Sequence, residues 1–290
     1  MGGAIAFNGD YAHAQVTPDG TLGAESSVVT PTNVNGLPGE QIDGGATRGA
    51  NLFHSFEQFS VPTRGEAFFN NALDIQNIIS RVTGLSISNI DGLLRANGAA
   101  NLFLLNPNGI NFGANARLSI GGSFVGSTAS SLNFADGTQF SATAPQATPL
   151  LTVSVPIGLQ YGGTTGGIQV QGNGQGTRIT PDLIDTPVGL RVEPNQTLAM
   201  VGGDVALTGG TLKTAGGRIE LGSVAGSGLV SLTPIESGWA LGYEGVPTFG
   251  DIQLSGVATA DTSGAGGGDV RVQARRVTLT NGSSIEASTL

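Results

Sequence analysis

Residues 93–130, LLRANGAANLFLLNPNGINFGANARLSIGGSFVGSTAS, constrain the fold most, because short apolar strands alternate there with corners of Asn and Gly. Leu102 to Leu105 runs straight into Asn106-Pro107-Asn108-Gly109, and Ile110-Asn111-Phe112 then resumes an alternating strand. Proline fixes φ at the first corner of a tight turn, and Asn and Gly tolerate positive φ after it. Such a corner either closes a hairpin or bends the chain between successive faces of a coil of parallel strands. The pattern of strand, Gly/Asn corner and strand continues to the end of the chain with almost no helix-compatible segment. It predicts a solenoid.

A small unit recurs in the second half: a Gly, usually one polar residue, then an aliphatic-polar-aliphatic triplet. It occurs from Gly167, Gly203, Gly217, Gly250 and Gly268, at separations of 36, 14, 33 and 18 residues. One coil per roughly 18–25 residues with occasional insertions accounts for this better than a propeller blade of about 40–45. Alternation places the aliphatics inside and Gln, Glu or Arg outside, with coils about 4.7–4.9 Å apart. The stretches Asn51–Val61 and Leu73–Val82 are ambiguous in period, and both are read as strands.

Composition agrees. Charged residues are 11% against roughly 25% in an ordinary globular chain, and 39% hydrophobic content suffices for a continuous core. Gly at 48 and Pro at 13 stay below the roughly 25–30% that signals disorder. The net charge is −9, Lys213 is the sole lysine, and the arginines stand singly apart from Arg275-Arg276. Without a basic stripe, neither nucleic acid nor an anionic membrane surface is an expected partner. No run approaches the ~20 apolar residues of a membrane span, so stable membrane insertion is not expected. The chain has no cysteine, which suits passage through an oxidising compartment.

Ala12-His13-Ala14 has the A-x-A form of a signal-peptidase site, so residues 1–14 read as an added start followed by the tail of an export signal. Residues 15–290 read as one domain. In it, 15–50 is a turn- and Pro-rich cap, 51–145 are the first coils with the Asn-Pro-Asn-Gly corner, and 150–290 are further coils. The last residues stop mid-pattern, as in a solenoid cut from a longer one. The expected architecture is all-β: a right-handed parallel β-helix with an N-terminal cap and small extra-helical antiparallel strands.

Catalytic chemistry finds little support. The chain has only two histidines, His13 and His54, and no Gly-x-Ser-x-Gly elbow. His54 reads as a packing or cap residue. Asp204, Glu220, Asp251 and Asp269 recur at related positions but mostly singly after a Gly, as corner residues do, rather than clustered for acid/base work or calcium. Residues 264–269 resemble one malformed calcium nonapeptide, and 172–176 fail the dinucleotide fingerprint. No catalytic residue, metal or cofactor is therefore assigned. Trp239 and Tyr243 with Glu236 and Glu244 could form a sugar-stacking platform on a loop.

Asn106-Pro107-Asn108-Gly109-Ile110, with residues 89–98, Asn101–Leu105 and Leu52–Phe56 around it, resembles the secretion domain of two-partner-secretion exoproteins. This is the filamentous-haemagglutinin N-terminal domain, in a version similar to those of filamentous cyanobacteria. The family's second signature, Asn-Pro-Asn-Leu, falls at Asn70-Asn71-Ala72-Leu73, where only the first and last residues agree. The departure puts a tight turn there in doubt. The resemblance implies an exoprotein that reaches the periplasm unfolded and engages the POTRA modules of a dedicated outer-membrane transporter. It would then fold as a monomer at the cell surface or be released. Asn106 to Ile110 and Asn70 to Leu73 are the implied recognition residues, and the corner could equally serve only to fold the first coils. The alternatives are a carbohydrate-active β-helix enzyme, such as a polysaccharide lyase or hydrolase, and a sugar-binding adhesin module.

Overall fold

Two kinds of strand are distinguishable along the chain. Asn101–Leu105 and Thr197–Gly202 are apolar almost throughout, whereas Ile168–Gln171 and Asp251–Ser255 alternate. A strand covered on both sides needs the first pattern, and a strand with one wet side needs the second. The computed structural model, which describes residues 15–34, 37–146, 149–163, 165–174 and 189–290, sorts them in that way. The A-x-A site at 12–14, with His13, and the end of the 172–176 loop lie outside those residues.

The chain winds as a parallel β-helix with three faces. The first face stacks Asn51–Ser60, Asn77–Val82, Asn101–Leu105, Phe124–Ser127, Thr197–Gly202, Arg218–Ser223 and Asp269–Gln273, all parallel. Each opens one coil, and the coils are numbered in that order below. The second face stacks Ser88–Ile90, Ile110–Phe112, Ile168–Gln171, Val205–Thr208, Asp251–Ser255 and Arg276–Leu279. The third face has two parallel stacks, Glu66–Phe69 to Arg117–Ser119 and Leu190–Arg191 to Ser284–Glu286. The winding is right-handed, the sense that parallel crossover connections adopt.

Early coils advance by 26, 24 and 22 residues. The glycine-led units belong to two faces: those at 167, 203 and 250 start second-face strands in register, and those at 217 and 268 start first-face strands. Their irregular separations are an interleaving of two columns. The stretch 73–82 is a strand only over Asn77–Val82, because Leu73 and Asp74 form a turn closed from Ile75 N–H to Ala72 O.

Two hydrophobic cores lie on either side of the first face. Inside the coil, Leu52, Phe56, Ile78, Leu102, Leu104, Leu198, Ile219 and Leu221 meet inward residues of the other faces. Outside it, Phe53, Ile79, Phe103, Val125 and Val201 pack under an antiparallel sheet that lies apart from the coils. That sheet runs Gln139–Ser141, Ser131–Phe134, Pro156–Gly163, Gly226–Ile235, Gly238–Gly245. Its first three strands leave the chain within coil four and its last two within coil six, and they join through Pro156–Gly163 against Gly226–Ile235. The extra-helical strands are thus larger than expected.

The cover overturns two sequence expectations. Glu220, expected to point outward into water, is fully buried beneath Gly238–Gly245. Trp239 and Tyr243 are buried too, Trp239 edge-on to Phe103 at 5.4 Å, so they form no sugar-stacking platform.

The N-terminal cap shields the other end. Ser27–Val34 and Leu37–Gly44 form an antiparallel pair whose second strand continues the third face parallel to Glu66–Phe69. Gln15–Pro18 and Ala46–Arg48 lie antiparallel on Asn51–Ser60. Pro31 lies in the outermost strand, Ser27–Val34, where a missing N–H is tolerated. His54 is buried as a packing residue, its Nδ1 2.9 Å from Ser27 Oγ and its ring stacked 5.9 Å from Phe56.

Candidate functional site

The Asn106–Gly109 corner joins the first face of coil three to its second face. Gly109 N–H donates to Asn106 O at 3.1 Å, and Gly109 takes φ +132°, a conformation glycine adopts without a Cβ penalty. Asn106 Oδ1 accepts from Asn108 N–H at 3.0 Å, the Asx-type bond that makes Asn a turn former. The local sequence therefore accounts for the corner by itself. The chain turns between faces here, not back on itself as a hairpin.

Side chains then tie that corner to its neighbours. Asn106 is fully buried, and its Nδ2 donates to Ser86 O at 3.0 Å and Ser88 Oγ at 2.9 Å in coil two. Asn108 Nδ2 donates to Gly84 O at 2.8 Å and to Asn106 Oδ1 at 3.1 Å. On the other side, Gly166 N–H donates to Pro107 O at 2.8 Å, and Ile110 N–H to Gly167 O at 3.1 Å. A Cβ on Gly166 would fall 2.2 Å from the Asn108 carbonyl carbon, so the backbone itself is the contact. Ile110 is fully buried between Ser88 and Ile168. The motif is held between coils two and four, with both amide groups spent inside the fold.

Asn70 to Leu73 stand at a different corner, between the third face of coil one and the first face of coil two. Asn70 N–H donates to Ile42 O at 3.0 Å and its Nδ2 to Asp43 Oδ1 at 2.7 Å, which fastens the corner to the cap. Asn71 is buried. Its Oδ1 accepts from Asn97 N–H at 2.9 Å, its Nδ2 donates to Asn97 O at 3.1 Å, and its own O accepts from Asn97 Nδ2 at 3.0 Å. This amide exchange with the next coil occupies the position where the family pattern has proline. Ala72 and Leu73 face solvent, Leu73 at 79% exposure. The structure does not bring the two motifs together.

A third set of amides escaped sequence reading. Asn77 Nδ2 donates to Asn51 Oδ1 and Asn101 Nδ2 to Asn77 Oδ1, both at 3.0 Å, and Ser123 N–H ends the row on Asn101 Oδ1 at 2.9 Å. The legible signal was Asn followed by two large apolar residues, at Asn51-Leu52-Phe53, Asn77-Ile78-Ile79 and Asn101-Leu102-Phe103.

The recurring carboxylates are engaged in structural contacts. Asp204 Oδ1 accepts from Asp251 N–H at 2.9 Å, Asp251 pairs with Arg275 at 2.8 Å and Asp269 with Arg218 at 3.2 Å. Burial pushes the Glu220 carboxyl up to about 7 against Leu241 N–H, Arg218 and Arg271. Among the described residues no group of His, Asp and Glu could hold a metal ion, and no helix is long and apolar enough to cross a membrane.

Comparison with known proteins bears on the whole chain. No curated protein matches in sequence. Among solved structures, the crystal structure of the HMW1 secretion domain from Haemophilus influenzae is similar, with TM-score 0.51 and 16% identity over 90% of this chain and 71% of that one. The family model of the TPS secretion domain matches residues 14–272. With nearly the full β-helix inside that match, the chain belongs to the TPS secretion domain family.

Proposed function

We propose that this domain is read in the periplasm as an unfolded chain by the POTRA modules of its outer-membrane transporter. Folding of its first coils would then start β-helix growth at the cell surface. Membership of the family carries the coarser part: a secretion domain of an exoprotein, with a dedicated outer-membrane transporter as partner. The finer part rests on one observation. In the folded chain, Asn106 directs its amide hydrogens to Ser86 and Ser88, and Asn108 directs its own to Gly84 and Asn106. A partner that recognises these side chains must meet them before the coils close. An extended segment can add to an exposed sheet edge through main-chain hydrogen bonds, which needs no folded epitope.

In this reading residues 15–50 act as the cap, 51–145 as the motif-bearing first coils and 150–290 as further coils of a monomer. Asn70 to Leu73 take part through the segment that leads into coil two.

The test is binding of the urea-unfolded and the folded domain to the periplasmic modules of the partner transporter, with Asn106→Ala and Asn108→Ala as comparisons. Micromolar or tighter binding by the unfolded form, weakened by both substitutions, supports the reading. Equal binding by the folded form, or none by either, overturns it.

A further inference from the structure

The sole lysine of the chain is one of its most buried residues. Lys213 and Asp261 occupy the same column of the third face in coils five and six, and their side chains are 1% and 3% exposed. Lys213 Nζ lies 2.9 Å from Asp261 Oδ2 and 2.8 Å from Ser263 O. Asp261 Oδ1 accepts from Ser263 N–H at 2.7 Å, so both partners are fixed against each other. A further carboxylate, Glu286, stands at the next rung of the column, in register with Asp261.

Stability alone is a poor reason for this arrangement. Taking two charges out of water costs about as much as their attraction returns, and an apolar pair of similar volume commonly does better. Lysine is almost never fully buried. What the geometry does supply is an amine held against a carboxylate and shielded from water. Reacting groups held in this way gain the advantage of an intramolecular reaction.

We propose that Lys213 and Asp261 condense after folding into an intramolecular amide, a covalent staple between coils five and six. The pair starts as ammonium and carboxylate. One proton passes from Nζ to Oδ2 along the existing hydrogen bond, leaving a neutral amine and a neutral carboxyl. The Nζ lone pair attacks Cγ and forms the carbon–nitrogen bond. A second Nζ proton passes to Oδ2, and the Cγ–Oδ2 bond breaks. One water leaves, and neither oxidant nor activated donor is needed. The staple joins residues 48 positions apart and closes a loop that contains the hairpin Gly226–Gly245. In a chain without cysteine, it provides a cross-link that can form only once the coils have stacked.

Intact mass spectrometry of the folded domain, incubated after refolding, reads the reaction. The expected result is a mass short by one water, with a branched peptide joining Lys213 to Asp261 after digestion. Lys213→Arg keeps the cation and should fold, yet should show the full mass, and Asp261→Asn should lose ammonia instead of water. A wild-type domain that keeps its full mass overturns the proposal and leaves a buried ion pair. A water deficit that persists in Lys213→Arg also overturns it, because the loss then arises elsewhere.

Discussion

The hydroxyl of Tyr243 rests on Gly222, so closely that a Cβ added to the glycine would fall 2.3 Å from the phenol oxygen. Tyr243 lies in the last strand of the antiparallel cover and Gly222 on the outer side of the first face. Gly222→Ala should therefore lift that strand and uncover Glu220 and Trp239. Overpacking of this kind costs about 1–3 kcal/mol. The lower melting temperature should come with a red shift in the emission of Trp239, the single tryptophan of the chain.

Asn106→Ala should destabilise far more than Asn70→Ala. The first change leaves the buried Ser88 hydroxyl without this donor and removes the bonds to Ser86 O and Asn108 N–H, a loss of roughly 2–4 kcal/mol. The second removes exposed contacts to Asp43 and Asn97 and should cost under about 1 kcal/mol. Urea midpoints of the two variants separate these values. Equal midpoints would show that the Asn106 corner is not fixed by its side chain.

Stability should peak on the acid side of neutrality. Burial pushes the Glu40 and Glu220 carboxyls up from 4.5 to about 7, and pushes the His54 imidazole down from 6.5 to about 3. Between about 4.5 and 7 the folded chain holds two carboxyl protons that the unfolded chain has released, so stability falls as pH rises. Below 6.5 the unfolded chain gains an imidazole proton that the folded chain refuses, which works the other way. Two carboxyls against one imidazole leave a net fall from about pH 5 to about pH 7, visible in urea midpoints. Glu220→Gln should flatten that slope.

Arg81 links three parts of the chain. Its Nε donates to Ser55 Oγ at 2.8 Å, Nη1 to Ser141 O at 2.6 Å and Nη2 to Thr21 Oγ1 at 2.7 Å, with the guanidinium 4.0 Å above Phe140. Arg81→Met leaves Ser141 O and the Ser55 and Thr21 hydroxyls without this donor and should cost roughly 1–3 kcal/mol. Arg81→Lys should recover only part, since an ammonium cannot span three acceptors in a plane. Limited proteolysis should then cut the cap earlier than the coils.

The coil architecture was legible because each corner carries its own instructions: Pro107 sets one φ, Gly109 takes another, and the Asn106 side chain closes the turn. The triplets Ile168-Gln169-Val170 and Ile252-Gln253-Leu254 showed an inward and an outward side by alternation alone. What covers the first face was harder to see. The run at 101–105 signals burial on both sides, but nothing local in Pro156–Gly163 or Gly226–Gly245 says that these segments pair with each other and cover Phe103. Glu220 was misplaced for that reason. Its triplet alternates like the others, and a distant hairpin decides its surroundings. The Asn51, Asn77 and Asn101 row was visible as a repeat but acquires meaning only when successive coils come into register.

The two departures of the chain from the coil also set the rhythm at which the fold can be assembled. From Asn51 to Ser123 each new rung needs only 22 to 26 residues before it can pair with the last. The next first-face bond, from Thr197 N–H to Ser123 Oγ, closes over 74 residues. For a chain supplied from its N-terminal end, growth proceeds in short strides and then halts until about three times as much polypeptide is present. Loop closure over that longer distance is entropically dearer and slower. The exposed upper rim of coil four is therefore the longest-lived open edge of the growing molecule.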